Sequence, residues 1–326
     1  SSFGGASSEQ SRVLWDGIDI SSMTSGVFDL SLVPASMLNN TALYDGINGG
    51  ALAPMGSVGA LNVAAEIPKG RGTSTLFSAS SIGDRGLFAQ SWGNIGTVRY
   101  QSSLRSTGGT NSYPYTLGSL NGVLEGNGYN DLTYLQSFQG KLSRWNWEST
   151  LWYTQSEKDN SGSILTPGYI NHLEDDMLRF KYAIRNRTNQ WQVYLGREWQ
   201  AYTDTNSPWT ITDTNTYTQA TVQYSRRNER QELFITSNYF RADGTNRSAT
   251  AFLPHVFYSL SLTKNDRLVI KGAGYQGRVH VGAHYNRATK TGKWGKQYAA
   301  GTYYRLPTLN ELYWRPGGNP GGRVLR

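Results

Sequence analysis

Apolar and polar residues alternate along most of the chain after Gly72. In residues 178–185, Leu, Phe, Tyr and Ile occupy one set of alternate positions, and Arg, Lys, Ala and Arg occupy the other. A period of two places successive side chains on opposite faces of a β-strand. The same alternation runs through residues 147–154, 191–199, 218–224, 256–263 and 278–286. The pattern predicts strands of about nine to eleven residues. Each strand has one apolar face, which we expect to point outward. In residues 178–185 this face carries Leu178, Phe180, Tyr182 and Ile184.

Short and long connections alternate between these segments. Short turns are predicted at residues 92–94, 144–146, 186–190, 226–230, 264–267 and 289–293. Longer polar loops are predicted between them, at residues 106–130, 158–173, 204–215 and 243–249. This order is typical of sequential antiparallel hairpins and predicts about thirteen strands in one sheet. We expect the first strand at residues 73–81 and the last at residues 294–304, with the two far apart and unpaired.

Strand length and aromatic content favour a membrane barrel. Strands of soluble sandwiches are about five or six residues long, whereas outer-membrane strands need about ten. The chain has 21 Tyr and 10 Trp residues, and several lie at the ends of the predicted strands, as in the aromatic girdles of barrels. The longest charge-free stretch, residues 46–65, contains five glycines and a proline, which excludes a spanning helix. A large soluble β-protein that binds carbohydrate remains an alternative.

The first 68 residues follow a different pattern. Short apolar runs at residues 13–15 and 30–33 are separated by Gly, Ser and Asn, and Pro34 suits the first position of a helical turn. We therefore expect a small mixed α/β unit over residues 1–68 and the strand region over residues 69–326. Both ends read as interrupted, so the sequence is interpreted as an internal piece of a longer chain.

Charge and cysteine content exclude several function classes. The net charge is +8, but the basic residues are scattered singly, which does not support a nucleic-acid interface. The chain has no cysteine, so disulfides and thiolate metal sites are excluded.

Three short motifs invite a chemical interpretation, and each is better explained structurally. Residues 272–277 match the dinucleotide pattern G-x-G-x-x-G, but an alternating strand follows instead of a helix, which indicates a hairpin tip. His280 and His284 lie on one strand face at a spacing of about 13 Å, too far apart to share an ion. The acidic run 174–176 reads as a solvated loop edge. No nucleophile–His–acid arrangement is evident, so we expect neither an enzyme, nor a cofactor, nor a metal site.

Two blocks of sequence resemble a known family. The run Val13-Leu14-Trp15-Asp16-Gly17-Ile18-Asp19-Ile20, followed by Asp29-Leu30-Ser31-Leu32-Val33-Pro34, resembles the plug domain of TonB-dependent outer-membrane transporters. Residues 51–63 lie where that family has a second plug motif. Residues 303–314, with Gly318-Asn319-Pro320, resemble its F-R-x-P-T-L-x-E-L-Y and G-N-P blocks. The spacing is closest to the vitamin B12 transporter branch, although Asp45-Gly46-Ile47 and Leu52-Ala53-Pro54 depart from the family pattern.

The resemblance implies both a fold and a function. Residues 1–68 would be the C-terminal part of a plug, and residues 69–326 the N-terminal part of a barrel of about twenty-two strands. The protein would take up a corrinoid, haem or ferric siderophore across the Gram-negative outer membrane. It would be embedded in outer-membrane lipid and powered by TonB through an N-terminal box outside this sequence. A plugged receptor for glycan capture or adhesion is the second alternative.

The resemblance also suggests the ligand contacts. Two plug loops that rise toward the external cavity in the family correspond to residues 21–26 and 48–52. The candidate substrate-binding residues are Ser22, Met23, Thr24, Ser25, Asn48, Gly49, Gly50, Ala51 and Leu52. Tyr113, Tyr115 and Tyr129, in the longest predicted loop, are either further ligand contacts or membrane-interface residues.

Overall fold

The computed structural model describes residues 11–22, 28–34, 37, 40–45, 59–118, 120–161, 170–204, 211–244, 247–275, 277–288 and 295–302. These residues form two main sheets and one small hairpin. Within them, no helix is long and apolar enough to cross a membrane.

The first sheet, called the N-terminal sheet, has four short strands. They are β1 (Ser11–Trp15), β2 (Ile18–Asp19), β3 (Asn40–Asp45) and β4 (Gly59–Ala64), in the order β2-β1-β4-β3. β1 and β4 are parallel and the other pairs are antiparallel. Asp16 and Gly17 have φ angles of 48° and 86°, the left-handed conformation that a two-residue hairpin turn requires. A 3₁₀ turn, Leu30–Leu32, is capped by the Asp29 carboxylate, which accepts from the Ser31 amide at 2.9 Å.

The second sheet, called the large sheet, contains thirteen antiparallel strands in sequential order. This number agrees with the prediction. The strands are β5 (Gly72–Ala79), β6 (Arg85–Ile95), β7 (Val98–Gly109), β10 (Tyr129–Leu142), β11 (Trp145–Ser161), β12 (Ile170–Arg185), β13 (Asn189–Asp204), β14 (Ile211–Arg227), β15 (Gln231–Gly244), β16 (Arg247–Ser261), β17 (Asp266–Tyr275), β18 (Arg278–Ala288) and β19 (Gly295–Gly301). The strands β8 (Tyr113–Leu117) and β9 (Leu120–Leu124) form a separate hairpin between β7 and β10. In the described residues β5 and β19 are the two edges and do not pair, as expected.

The two faces of the large sheet divide apolar from polar residues as the alternation predicts. On β12, Leu178, Phe180 and Tyr182 are exposed on the outer face, and Ile184 is half-buried there. Arg179 and Lys181 lie between them in sequence and are buried on the inner face. The neighbouring strands continue this outer apolar belt with exposed residues such as Val193, Leu195, Val222, Ile235, Val256 and Ile270.

Strand lengths differ from the prediction. β10 to β16 contain 14 to 17 residues, not nine to eleven, so these strands extend into the predicted long loops. The apolar alternation stops at the edge of the belt, but polar residues continue the hairpin pairing beyond it. The turn predicted at residues 92–94 was also misplaced: those residues lie in β6, and the chain reverses at Gly96, which has a φ of 61°. The acidic run 174–176 likewise lies in β12 and not in a loop.

The two ends of the large sheet are distinct. At one end, here called the turn end, neighbouring strands are joined at residues 96–97, 143–144, 186–188, 228–230 and 262–265. At the opposite loop end, the strands extend beyond the apolar belt. The N-terminal sheet packs against the inner face between these two ends, mainly on β10 to β14.

Candidate functional site: the contact between the two sheets

An aromatic cluster joins the N-terminal sheet to the large sheet at mid-height. Trp15, at the end of β1, is fully buried. Its ring meets Trp152 of β11 edge-on at 5.5 Å and Tyr194 of β13 at 6.1 Å. The Phe28 ring also meets Trp152 edge-on, at 6.0 Å. Edge-to-face pairs of this kind add to the free energy of apolar burial, so the cluster is a strong, dry attachment.

A buried lysine of β12 lies beside this cluster, on the side of the turn end. The Lys181 ammonium contacts the carboxylate of Asp16 and lies 3.0 Å from Glu148 Oε1. It also lies 5.2 Å from the centre of the Trp15 ring. Its side chain is 1% exposed, so the two carboxylates supply the compensation that a buried charge needs. Because Asp16 belongs to the N-terminal sheet and Glu148 to the large sheet, Lys181 links the two.

A second buried ion pair involves Arg179, two residues before Lys181 on β12. Arg179 Nη2 is 3.6 Å from Glu198 Oε2, and both side chains are less than a tenth exposed. The guanidinium lies 4.9 Å from the Trp152 ring and 5.1 Å from the Phe28 ring. Glu198 also accepts a hydrogen bond from the Ser22 side chain. This pair therefore touches the N-terminal segment, meaning the chain up to about residue 68, at Ser22 and at Phe28.

A third ionic contact lies toward the loop end. The Lys158 ammonium of β11 contacts the Asp29 carboxylate, and Arg105 of β7 donates to the carbonyl of Ser31. Burial disfavours the charged form of Asp29, but the hydrogen bonds from Lys158 and Ser31 outweigh it. The pKa of Asp29 therefore lies below its usual value, and the carboxylate is ionised at neutral pH.

A polar cavity of about 290 Å³ separates the two sheets at the turn end. Its charged lining residues come from both sheets and from the segment between them: Asp16, Glu66, Lys69, Arg99, Glu148 and Arg185. Arg99 donates to the carbonyls of Ile67 and Pro68, which fixes the exit of the N-terminal segment. The lining is balanced in charge and polar, and the volume has room for several water molecules.

The inner face of β16 to β18 is basic and lies beyond these contacts. Its ionisable residues are Arg267, Lys271, Arg278, His255, His280 and His284. Lys271 is buried beside the Phe257 ring, with its ammonium 6.0 Å from the ring centre, and no ion pair is found for it among the described residues. Arg267 pairs with Glu232 of β15 at 2.9 Å.

Most candidate ligand residues lie outside the described part of the chain. Met23, Thr24, Ser25, Asn48, Gly49, Gly50, Ala51 and Leu52 belong to this group, whereas Ser22 is described and buried. Of the three tyrosines, Tyr113 and Tyr115 lie in the β8–β9 hairpin, and Tyr129 begins β10. The Tyr129 hydroxyl donates to Asp84 at 3.3 Å. The ligand assignment of these residues stays a prediction.

The remaining sequence motifs are structural. Residues 272–275 end β17 and Arg278 begins β18, so the glycine motif is a hairpin tip, as predicted. His280 and His284 face the inner side. Asp175 also faces inward, beyond the apolar belt, where burial raises its pKa to about 6 despite a 2.7 Å hydrogen bond from Gln200. Among the described residues, no His, Asp and Glu side chains gather into a possible metal site.

The buried ionic residues were not singled out from the sequence. Arg179 and Lys181 were predicted only as members of a polar strand face. Their partners Glu198 and Asp16 lie on other elements, and spacing along the sequence carries no signal for such pairs. The sequence offered one hint. Long charged side chains occupy the strand face opposite the apolar one, and that face points inward if the apolar face points outward.

Solved structures of two receptors and one transporter share this fold. The ferric enterobactin receptor PfeA of Pseudomonas aeruginosa superposes with a TM-score of 0.65 at 13% identity, over 93% of this chain and 55% of that one. The copper transporter OprC gives 0.67 at 12% identity, over 95% and 57%. The siderophore receptor PirA of Acinetobacter baumannii gives 0.65 at 11% identity, over 93% and 54%. The chain thus spans little more than half the length of these proteins. No protein-family description and no curated sequence matches it.

Proposed function

We propose that this chain is part of a TonB-dependent outer-membrane receptor that takes up a scarce ligand. The N-terminal segment is its plug, the large sheet is part of its barrel wall, and the boundary lies near residue 68. The observation that carries the proposal is the docking of a separate small sheet onto the polar inner face of a sheet whose outer face is apolar. Receptor and transporter structures with the same fold support it.

The proposed orientation follows from the two ends of the sheet. Short turns of outer-membrane barrels face the periplasm and long loops face outward. The turn end, with the polar cavity, is therefore assigned to the periplasm, and the loop end to the outside. Ligand captured from outside would meet the plug at residues 22–25 and 48–52. TonB, acting from the periplasm on a box upstream of this sequence, would then displace the plug and release the ligand inward.

A ferric siderophore is the ligand we propose. Two of the similar structures are named for siderophores, a ferric enterobactin receptor and a siderophore receptor. Many ferric siderophores are anionic, and the inner face of β16 to β18 carries basic residues without a described carboxylate near Lys271. Charged walls of this kind concentrate ligands of opposite sign. The vitamin B12 assignment rests on sequence spacing alone and is the weaker proposal.

The test is an uptake assay with the full-length protein in cells. Cells that produce it in an outer membrane lacking other siderophore receptors are given ⁵⁵Fe-labelled ferric enterobactin, with haem and cyanocobalamin as competing alternatives. We expect uptake that requires TonB and the proton gradient. Uptake of haem or cyanocobalamin alone would replace the siderophore assignment. Uptake of none of the three, together with oligosaccharide binding, would favour the glycan receptor and contradict the proposal.

A further inference from the structure

The fold gathers basic residues at the turn end of the large sheet. They are scattered singly along the sequence, but four of the five turns described at this end contain one. These four exposed residues are Arg144, Arg187, Arg230 and Lys264. Arg226 adds a fifth exposed cation, on the outer face near the end of β14. Among the described residues none of the five has an ion pair, and Glu229 is the one carboxylate in these turns.

The loop end of the same strands differs in charge. There the outer face of β11 and β12 carries four carboxylates, those of Glu157, Asp159, Glu174 and Asp176. The turns that precede β11 and follow β12 at the other end carry Arg144 and Arg187. The positive net charge of the chain therefore does not explain the basic turn end, because the two ends of one hairpin have opposite signs.

The apolar outer face continues up to these turns. Leu142 ends β10 and Leu262 follows β16 directly, and both side chains are more than half exposed. Arg144 and Lys264 come two residues later in each case. A membrane that covers the apolar face would therefore end at these turns and place both cations among its headgroups. Long basic side chains suit this position because their stems stay on apolar surface while the charge reaches the polar layer.

Arg226 lies beside an aromatic pair at the same edge. On the outer face, the Trp191 and Tyr224 rings are 4.6 Å apart, and the Tyr224 hydroxyl donates to the Asn189 side chain at 2.9 Å. Rings with an apolar body and a polar tip are typical of the membrane interface. Arg226 pairs across the strands with Asn189, two residues beyond Tyr224 on the same face. It therefore lies at headgroup level on the side of the sheet that faces lipid.

We propose that the turn end binds the headgroups of anionic phospholipids, chiefly through Arg144, Arg187 and Arg226. This inference rests on the proposed function, because it takes the large sheet to be a membrane wall. Arginine donates two parallel hydrogen bonds to phosphate oxygens, and basic residues at a membrane surface favour anionic over zwitterionic lipid. Neighbouring strands are about 4.8 Å apart, so these three residues follow one another along the sheet at about 7–10 Å. The exposed apolar neighbours favour lipid over an acidic protein as the partner.

Lipid selectivity of the full-length receptor in vesicles tests the proposal. A fluorophore on Val193→Cys, on the exposed outer face between the strands of Arg187 and Arg226, reports which lipid chains lie beside this part of the sheet. Phosphatidylglycerol and phosphatidylcholine with brominated chains are compared as quenchers at equal mole fractions. We expect phosphatidylglycerol to associate about fivefold more strongly and this preference to shrink at high salt.

Two triple variants separate the turn end from overall charge. The first combines Arg144→Gln, Arg187→Gln and Arg226→Gln. The second removes the same charge from three exposed arginines elsewhere on the outer face, by Arg85→Gln, Arg197→Gln and Arg241→Gln. All six residues are exposed, so both variants should fold. The first should lose the preference for phosphatidylglycerol, and the second should keep it within about twofold of the parent.

Three results would overturn the proposal. Equal quenching by the two lipids in the parent would show that the turn end does not select anionic headgroups, and would leave the proposed function intact. Equal loss of the preference in both triple variants would assign it to overall charge. No quenching by either lipid would show that the outer face does not meet a membrane, and both this inference and the proposed function would fail.

Discussion

The N-terminal segment contacts the inner face of the large sheet in two very different ways. At mid-height, Trp15, Trp152 and Tyr194 form a dry aromatic cluster beside the buried Lys181. At the turn end, the same two parts of the protein are separated by a polar cavity of about 290 Å³ with acidic and basic groups from both sides. The first contact excludes water, and the second has room for it.

The difference indicates where the two parts can separate. Groups that line a hydrated cavity exchange protein contacts for water with little change in free energy. Separating the aromatic cluster exposes large apolar surfaces and leaves a buried lysine without its partner Asp16. We therefore expect a pull from the turn end to meet little resistance until the Asp16–Lys181 contact and the Trp15 ring are reached.

Removing the central ring should have the largest effect. Trp15→Ala deletes a fully buried side chain and leaves a cavity against Trp152 and Tyr194. We expect the free energy of unfolding of the N-terminal segment to fall by about 3–5 kcal/mol. The measurement is proteolytic cleavage within residues 11–67 at increasing urea. Leu43→Ala, at a residue 63% exposed on β3, is the control and should change it by less than about 0.5 kcal/mol. Equal effects of the two variants would show that the cluster does not hold the segment.

Breaking the ionic contact beside the cluster should have the next largest effect. Lys181→Met leaves Asp16 and Glu148 without their shared cation, and we expect a loss of about 2–3 kcal/mol in the same assay. The estimate is at the low end for a buried pair because both carboxylates are 24% exposed. The double variant Lys181→Met with Asp16→Asn should recover part of this loss. Additive losses in the double variant would exclude a direct ionic contribution.

The cavity should be detectable by chemical labelling with almost no change in stability. The chain contains no cysteine, so single cysteines can be introduced without background reaction. Ala65→Cys, in the cavity lining, should react rapidly with a water-soluble maleimide. Val63→Cys, two residues earlier and fully buried, should react only after the segment unfolds. Equal reaction rates would remove the distinction between the hydrated and the dry contact.

The smallest effect should come from a pH-dependent contact at the loop end, beyond the apolar belt. His172 joins Asp159 at 2.7 Å and Glu174 at 3.1 Å. The hydrogen bond to Asp159, opposed by partial burial and reinforced by Glu174, raises the pKa of His172. A raised folded-state pKa stabilises the β11–β12 extension, which is the part of these two strands beyond the apolar belt, below pH about 6.5. This stabilisation is lost as the pH rises through the folded-state value. The ring is 39% exposed, so the effect is small.

His172→Gln tests that contact directly. The measured quantity is the protection of this extension against hydrogen exchange, relative to an unstructured chain at the same pH. It should increase on acidification in the parent, and the variant should lack this increase. The same pH dependence in both proteins would assign it to another residue.

The strands of the large sheet were predictable from the sequence wherever apolar residues of the outer face recur at every second position. Alternation identified the thirteen strands and the outward side of Leu178, Phe180 and Tyr182, because an apolar face repeats with the period of the strand. It missed the strand ends, since the polar extensions beyond the belt have no apolar face to reveal their pairing. The Arg179–Glu198 and Lys181–Asp16 contacts were out of reach for a different reason. The Lys181–Asp16 contact joins residues that are distant in sequence and meet only when the N-terminal segment docks. The Arg179–Glu198 pair joins two neighbouring strands, and which of their inward-facing residues meet depends on the register of that hairpin.

The central claim is that the large sheet is a membrane wall with the N-terminal segment on its inner face. Single cysteines at residues 178 to 184, each carrying an environment-sensitive fluorophore, test it in lipid vesicles with a quencher attached to the lipid chains. We expect quenching at Leu178, Phe180, Tyr182 and Ile184, and none at the three positions between them. Quenching at those intervening positions, or no alternation at all, would contradict the account.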